Sequence, residues 1–95
     1  MQTEALVQTQ SSELYLKKLC RHFAHKVPAT VDGTKGIIDF PFGRCRLHAN
    51  SDHLALAIDL KAADTLAVAE RVVGEHLQRM ASKETLAINW VRTEQ

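Results

Sequence analysis

Three groups of side chains have the types and spacings from which chemistry is built. His22 and His25 stand three residues apart, with Lys18, Arg21 and Lys26 around them. On a helix, residues three apart are neighbours, so two imidazoles at this spacing can share one ligand. The surrounding cations oppose a bare metal ion and suit an anion such as a phosphate or a carboxylate. A basic face late in a helix also has a simpler explanation, since it complements the helix dipole. The second group is Cys20, Cys45 and His76, two thiols and an imidazole, a donor set that suits zinc or iron. No Cys-x-x-Cys pair accompanies it. A buried cysteine otherwise behaves as a small hydrophobe, and a core histidine is satisfied by one hydrogen bond. In the third group, Arg44, Arg46 and His48 alternate with Cys45, Leu47 and Ala49, so they share one face of a strand. That face can meet an anion or a flavin phosphate, pair with a second copy of the chain, or lie solvated with cross-strand ion pairs.

Two helices and a set of short strands must position these groups. Leu16, Leu19, Cys20, Phe23, Ala24 and Val27 recur with helical periodicity after Ser11 and Ser12, either of which can cap. Pro28 disfavours helical geometry at Val27, which predicts a helix ending near Lys26. Strands are expected at Val27 to Val31 and Gly36 to Phe40, on either side of an Asp32-Gly33-Thr34-Lys35 turn. A third strand carries Arg44 to Ala49. A fourth alternates Leu54, Leu56, Ile58 and Leu60 with His53, Ala55, Ala57 and Asp59. Leu66, Ala69, Val73, Leu77 and Met80 predict a second helix from about Asp64 to Ser82, with Gly74 in its middle permitting close packing. Leu86, Ile88 and Trp90 alternate in a fifth strand. The expected class is α+β: a two-layer, mostly antiparallel five-stranded sheet with two helices on one face, in the order α-β-β-β-β-α-β. Residues 1–10 read as a mobile polar tail and residues 11–95 as a single domain.

Length and charge narrow the function. At 95 residues the chain is one domain. A net charge of +1 gives no global field for nucleic acid or an anionic membrane. No apolar run approaches the ~20 residues needed to span a bilayer. The start of the chain lacks the basic and apolar segments of a secretory signal, and two cysteines make no disulfide framework, so the expected location is cytoplasmic. The α-β-β-β portion resembles a double-stranded-RNA-binding domain. However, the second helix begins with Asp64 and small residues rather than lysines. No nucleophile elbow, phosphate-cradling glycine loop or paired-carboxylate motif is present. Cys45 and His48, three apart on a strand, lie on opposite faces and cannot form a nucleophile–base pair. The sequence therefore leans away from an enzyme.

Three segments together resemble a bacterial domain-of-unknown-function family, number 2218. They are Tyr15 to Lys26, Ile38 to Cys45, and Val72 to Leu77 with the closing Trp90. The resemblance implies a context of siderophore-interacting ferric reductases, and with it iron handling. It carries no catalytic residues. The expected role is a non-catalytic accessory or ligand-binding module, with a ferric chelate or a siderophore-interacting reductase as partner. That partner would be met by His22, His25, Lys26, Arg44, Arg46 and His48. The alternatives are a zinc or iron protein using Cys20, Cys45 and His76, and a structural homodimer joined through the outer sheet face.

Overall fold

The computed structural model describes residues 1–93; residues 94 and 95 of the expected domain lie outside the described residues. The chain runs β1 (Gln2–Gln8), α1 (Ser12–Phe23), β2 (Ala29–Asp32), β3 (Lys35–Phe40), β4 (Gly43–Ala49), β5 (His53–Leu60), a short 3-10 turn (Ala63–Thr65), α2 (Leu66–Met80) and β6 (Val91–Thr93). The strands form one antiparallel sheet in the order β2-β3-β4-β5-β1-β6. The class is α+β, with six strands in place of the expected five.

The extra strand is the segment expected to be a mobile tail. β1 is an interior strand, paired with β5 along its whole length and with β6 at its start. Thr3, Ala5 and Val7 alternate into the core, while Glu4, Leu6 and Gln8 face outward. Only two of the inward residues are aliphatic, so the segment looks polar in one dimension. Its stability comes from pairing with residues some fifty positions away, which local pattern does not record.

The remaining elements form where periodicity places them, with shifted ends. α1 stops at Phe23, and the backbone N–H groups of Lys26 and Val27 both donate to the Phe23 carbonyl, each at 2.9 Å. Ala24 therefore leaves the apolar stripe and is exposed. Neither serine caps α1 through its side chain: Ser11 occupies the cap position without such a bond, and the Ser12 hydroxyl donates to the Asn50 carbonyl, tying the helix to the β4–β5 turn. Asp64 falls in the 3-10 turn before α2. The expected strand over Leu86 to Trp90 is irregular, because only Val91–Thr93 reaches the edge of β1. The alternation there still has a purpose, since Leu86, Ile88 and Trp90 pack on the core.

β4 requires glycine at its first position. Gly43 has φ +153°, and a Cβ there would stand 2.0 Å from the Asp59 carbonyl oxygen of β5.

The register puts all the large inward side chains on one sheet face. Ala5, Leu56 and Leu47 are neighbours across β1, β5 and β4, as are Thr3, Ile58, Cys45 and Ile38 one row along. α1 covers this face with Leu16, Leu19, Cys20 and Phe23, and α2 with Ala69, Val73 and Leu77. α1 sits over β3, where Cys20 meets Gly36. α2 sits over β1, where Thr3 is fully buried and its hydroxyl donates to Glu70 at 2.7 Å. Arg92 of β6 closes on Glu70 at 2.8 Å and holds its carboxyl below the usual carboxylate range, with Thr3 assisting. One ion-paired carboxylate thus ties α2 to both strands at that edge.

Candidate functional site

Among the described residues no helix covers the opposite face of the sheet. Three rows of side chains cross it. Asp39, Arg44, Asp59, Gln2 and Thr93 form the first, Ile37, Arg46, Ala57, Glu4 and Val91 the second, and Lys35, His48, Ala55 and Leu6 the third. In the middle, β5 offers only alanines, Ala55 and Ala57. Its neighbours carry longer side chains, Arg46 and His48 on β4 and Glu4 and Leu6 on β1. The difference in length produces a trough of about 420 Å3 with an apolar floor, and Lys35 and Ile37 of β3 extend one side. One wall bears cations and the other bears Glu4.

Ion pairs decide which of these cations are available. Arg44 grips Asp39 with two hydrogen bonds, at 2.7 and 3.2 Å, which raise its pKa further. Arg46 pairs with Asp59 at 3.0 Å. These are solvent-exposed pairs of small energetic value, but they orient the guanidinium groups. Among the described residues Lys35 and His48 have no ion-pair partner, and both border the trough. The six residues expected to bind a ligand therefore separate. Arg44, Arg46 and His48 share the open face, whereas His22, His25 and Lys26 lie at the end of α1, on the helical side.

At that second place, rings cluster. His22 and His76 meet across the two helices with ring centroids 5.1 Å apart, and Phe23 lies against both, at 5.1 and 4.9 Å. Phe40 and Phe42 continue the series, edge-on and then stacked. His76 Nδ1 lies 2.6 Å from the Val72 carbonyl. A carbonyl only accepts, so Nδ1 is the donor and carries a proton. His22 is exposed, but the slight desolvation at the helix joint lowers its pKa, and the positive forms of His76, Lys26 and His25 lower it further. The helix end accordingly favours a neutral imidazole at His22.

The Cys20, Cys45 and His76 set does not assemble. Both thiols are free and buried in the core. They are close enough that Cys20 contributes to raising Cys45. The main cause is burial, which pushes Cys20 up to about 11 and Cys45 up to about 12. His76 stands apart with His22 and Phe23, half-buried at the helix–helix joint, because its place one residue before Leu77 turns it to the border of the α2 stripe. Among the described residues no three histidine, cysteine or acidic side chains form a group able to hold a metal ion. The two thiols are core side chains.

Three trough residues were absent from the sequence-based candidates: Glu4, Leu6 and Lys35. The first two belong to β1, and the signal that would have found them is the Thr3, Ala5, Val7 alternation.

Comparison with known proteins agrees with this architecture. The sequence family described as an uncharacterized protein conserved in bacteria (DUF2218) matches residues 4–91. The solved structures include the NMR structure of PA4090 from Pseudomonas aeruginosa. It shares 36% identity and a TM-score of 0.81, covering 99% of this chain and 98% of that one. No curated protein matches. No helix among the described residues is long and apolar enough to cross a membrane.

Proposed function

We propose that this chain, which belongs to the bacterial DUF2218 family, is a non-catalytic ligand-binding module that works through its open sheet face. The observation that carries the reading is the trough over β5, with its alanine floor and a wall formed by Arg46, His48 and Lys35. Concave sites with an apolar floor and a few convergent polar groups are the usual form of small-molecule sites. The chemistry suits a flat, partly apolar anion. In the iron-handling context that the family resemblance implies, the ligand class is an anionic ferric chelate, met in the cytoplasm. The second basic group, His22, His25 and Lys26, lies away from the trough, where it can contact a siderophore-interacting reductase while the trough is occupied. Thiols as basic as Cys20 and Cys45 are poor nucleophiles at neutral pH, which favours binding over catalysis.

The test is titration of the protein with ferric catecholate, hydroxamate and carboxylate chelates, followed by ligand fluorescence or calorimetry. Lys35→Ala and Arg46→Ala should each weaken binding roughly tenfold, the loss expected for one charge-assisted contact. Absence of measurable affinity for every chelate and for the reductase would refute the assignment.

A further inference from the structure

The outer sheet face is self-complementary, and we propose that two copies of the chain pack face to face across it, around a two-fold axis parallel to β5. The inference rests on the ligand-binding reading in one respect only: the second copy becomes the roof of the trough.

Registration carries the argument. The second row reads Ile37, Arg46, Ala57, Glu4, Val91 across β3, β4, β5, β1 and β6. A two-fold axis along β5 reverses this order in the facing copy. Arg46 then lies over the other copy's Glu4, Ile37 over its Val91, and Ala57 over Ala57. In the next row His48 lies over Leu6. In the second row cation meets anion and aliphatic meets aliphatic, each off-axis contact occurring twice as an isologous interface requires. On the axis Ala57 meets Ala57 and, one row along, Asp59 meets Asp59, each of these carboxylates already paired with Arg46 of its own chain.

Within one chain Arg46 is paired with Asp59 and Glu4 accepts a hydrogen bond from the Gln2 amide, whereas Leu6 and Val91 stand open. Glu4 takes part in none of the ion pairs among the described residues. Leu6 and Val91 are the most exposed large hydrophobic side chains, at 63% and 65%. A solvated sheet face normally places polar residues at such positions. An axis perpendicular to the strands would instead set Arg46 against Arg46, so the charges select one arrangement.

Dimension and fill are consistent with this packing. The molecule measures 33 × 26 × 21 Å, so a face across its two longer dimensions is at most roughly 850 Å2, against about 800 Å2 per partner in a standard interface. Sheets packed face to face stand about 10 Å apart. Alanine over alanine does not fill that gap, so the two troughs merge into one enclosed slot, with Arg46–Glu4 pairs on both sides. The binding site is thus incomplete in a single copy.

The experiment is sedimentation equilibrium of ligand-free protein up to about 100 μM, a range that detects weak self-association. A dimer is expected. Glu4→Arg and Arg46→Glu should each raise the dissociation constant at least tenfold, because each places two like-charge contacts in the interface. The double variant should regain most of the loss, with circular dichroism confirming that all variants fold. A monomeric wild type, or a double variant no tighter than the singles, overturns the proposal. Because no ligand is present, the result is independent of the chelate titrations. A monomer that binds chelate sinks the dimer alone, and a dimer that binds none sinks the ligand reading alone.

Discussion

Gly36→Ala should destabilise the native protein and yet stabilise the Cys20→Ala variant, and this reversal of sign tests whether Cys20 is a core side chain. A Cβ built on Gly36 would stand 2.8 Å from Cys20 Sγ, closer than packed carbon and sulfur approach. The next atoms, Leu16 Cδ2 and the Thr30 carbonyl oxygen, are both at 3.5 Å and in ordinary contact. One atom therefore decides the outcome. Cys20 is 2% exposed and helical, so its single side-chain torsion has little room to turn away. Overpacking of this kind costs about 1–3 kcal/mol. Replacing a strand glycine by alanine returns roughly 0.5–1 kcal/mol through the unfolded chain. The net loss in the native background is about 0–2.5 kcal/mol, and its central value, about 1.3 kcal/mol, lowers the urea midpoint by about 1 M for a domain of this size. Cys20→Ala alone costs roughly 1 kcal/mol, about one buried methylene. In that background the clash is gone, and the added methyl gains roughly 0.5–1 kcal/mol. The assay is a double-mutant cycle by urea denaturation. Equal destabilisation by Gly36→Ala in both backgrounds would show that Cys20 is not what fills the space above the glycine, and the core assignment of the thiol would fail with it.

Two further outcomes follow from the helices. At Gly74 a Cβ meets Trp90 Nε1 at 3.6 Å and Ile88 Cδ1 at 3.8 Å, so the space accepts a methyl. Gly74→Ala should stabilise by about 1 kcal/mol, as helix propensity dictates; a lower melting temperature would mean that the Trp90 ring depends on the glycine for its seat. His22, with its pKa below the usual 6.5, binds its proton more readily in the unfolded chain. Its contribution to stability is full above about pH 7 and is lost as pH falls through the folded-state pKa. The urea midpoint should therefore drop between about pH 7 and pH 5, above the range where the carboxylates titrate. His22→Gln should flatten that slope, and an unchanged slope would refute the account.

The periodicities of α1, β3, β4, β5 and α2 were legible in the sequence because each buries one face, and burial leaves a one-dimensional trace. Alternation around Arg44 and Arg46 likewise placed them on the outer face, and the pairing of Asp39 with Arg44 follows from the tight turn between β3 and β4. The metal set failed for a geometrical reason. Cys20, Cys45 and His76 all point towards one layer, but a layer is wide, and only the positions of α1 and α2 along it decide which side chains touch. His76 meets His22 there, and the thiols are left with the core.

What the sequence determined by itself is therefore which way most side chains of α1, β3, β4, β5 and α2 face, since helix and strand repeats follow from local backbone geometry. The order of strands was decided only in three dimensions. β1 enters between β5 and β6, far from its neighbours in the chain, and supplies Glu4 and Leu6 to the trough. Strand pairing is a long-range choice made by hydrogen bonds and core contacts between distant segments, and no local repeat encodes its partner.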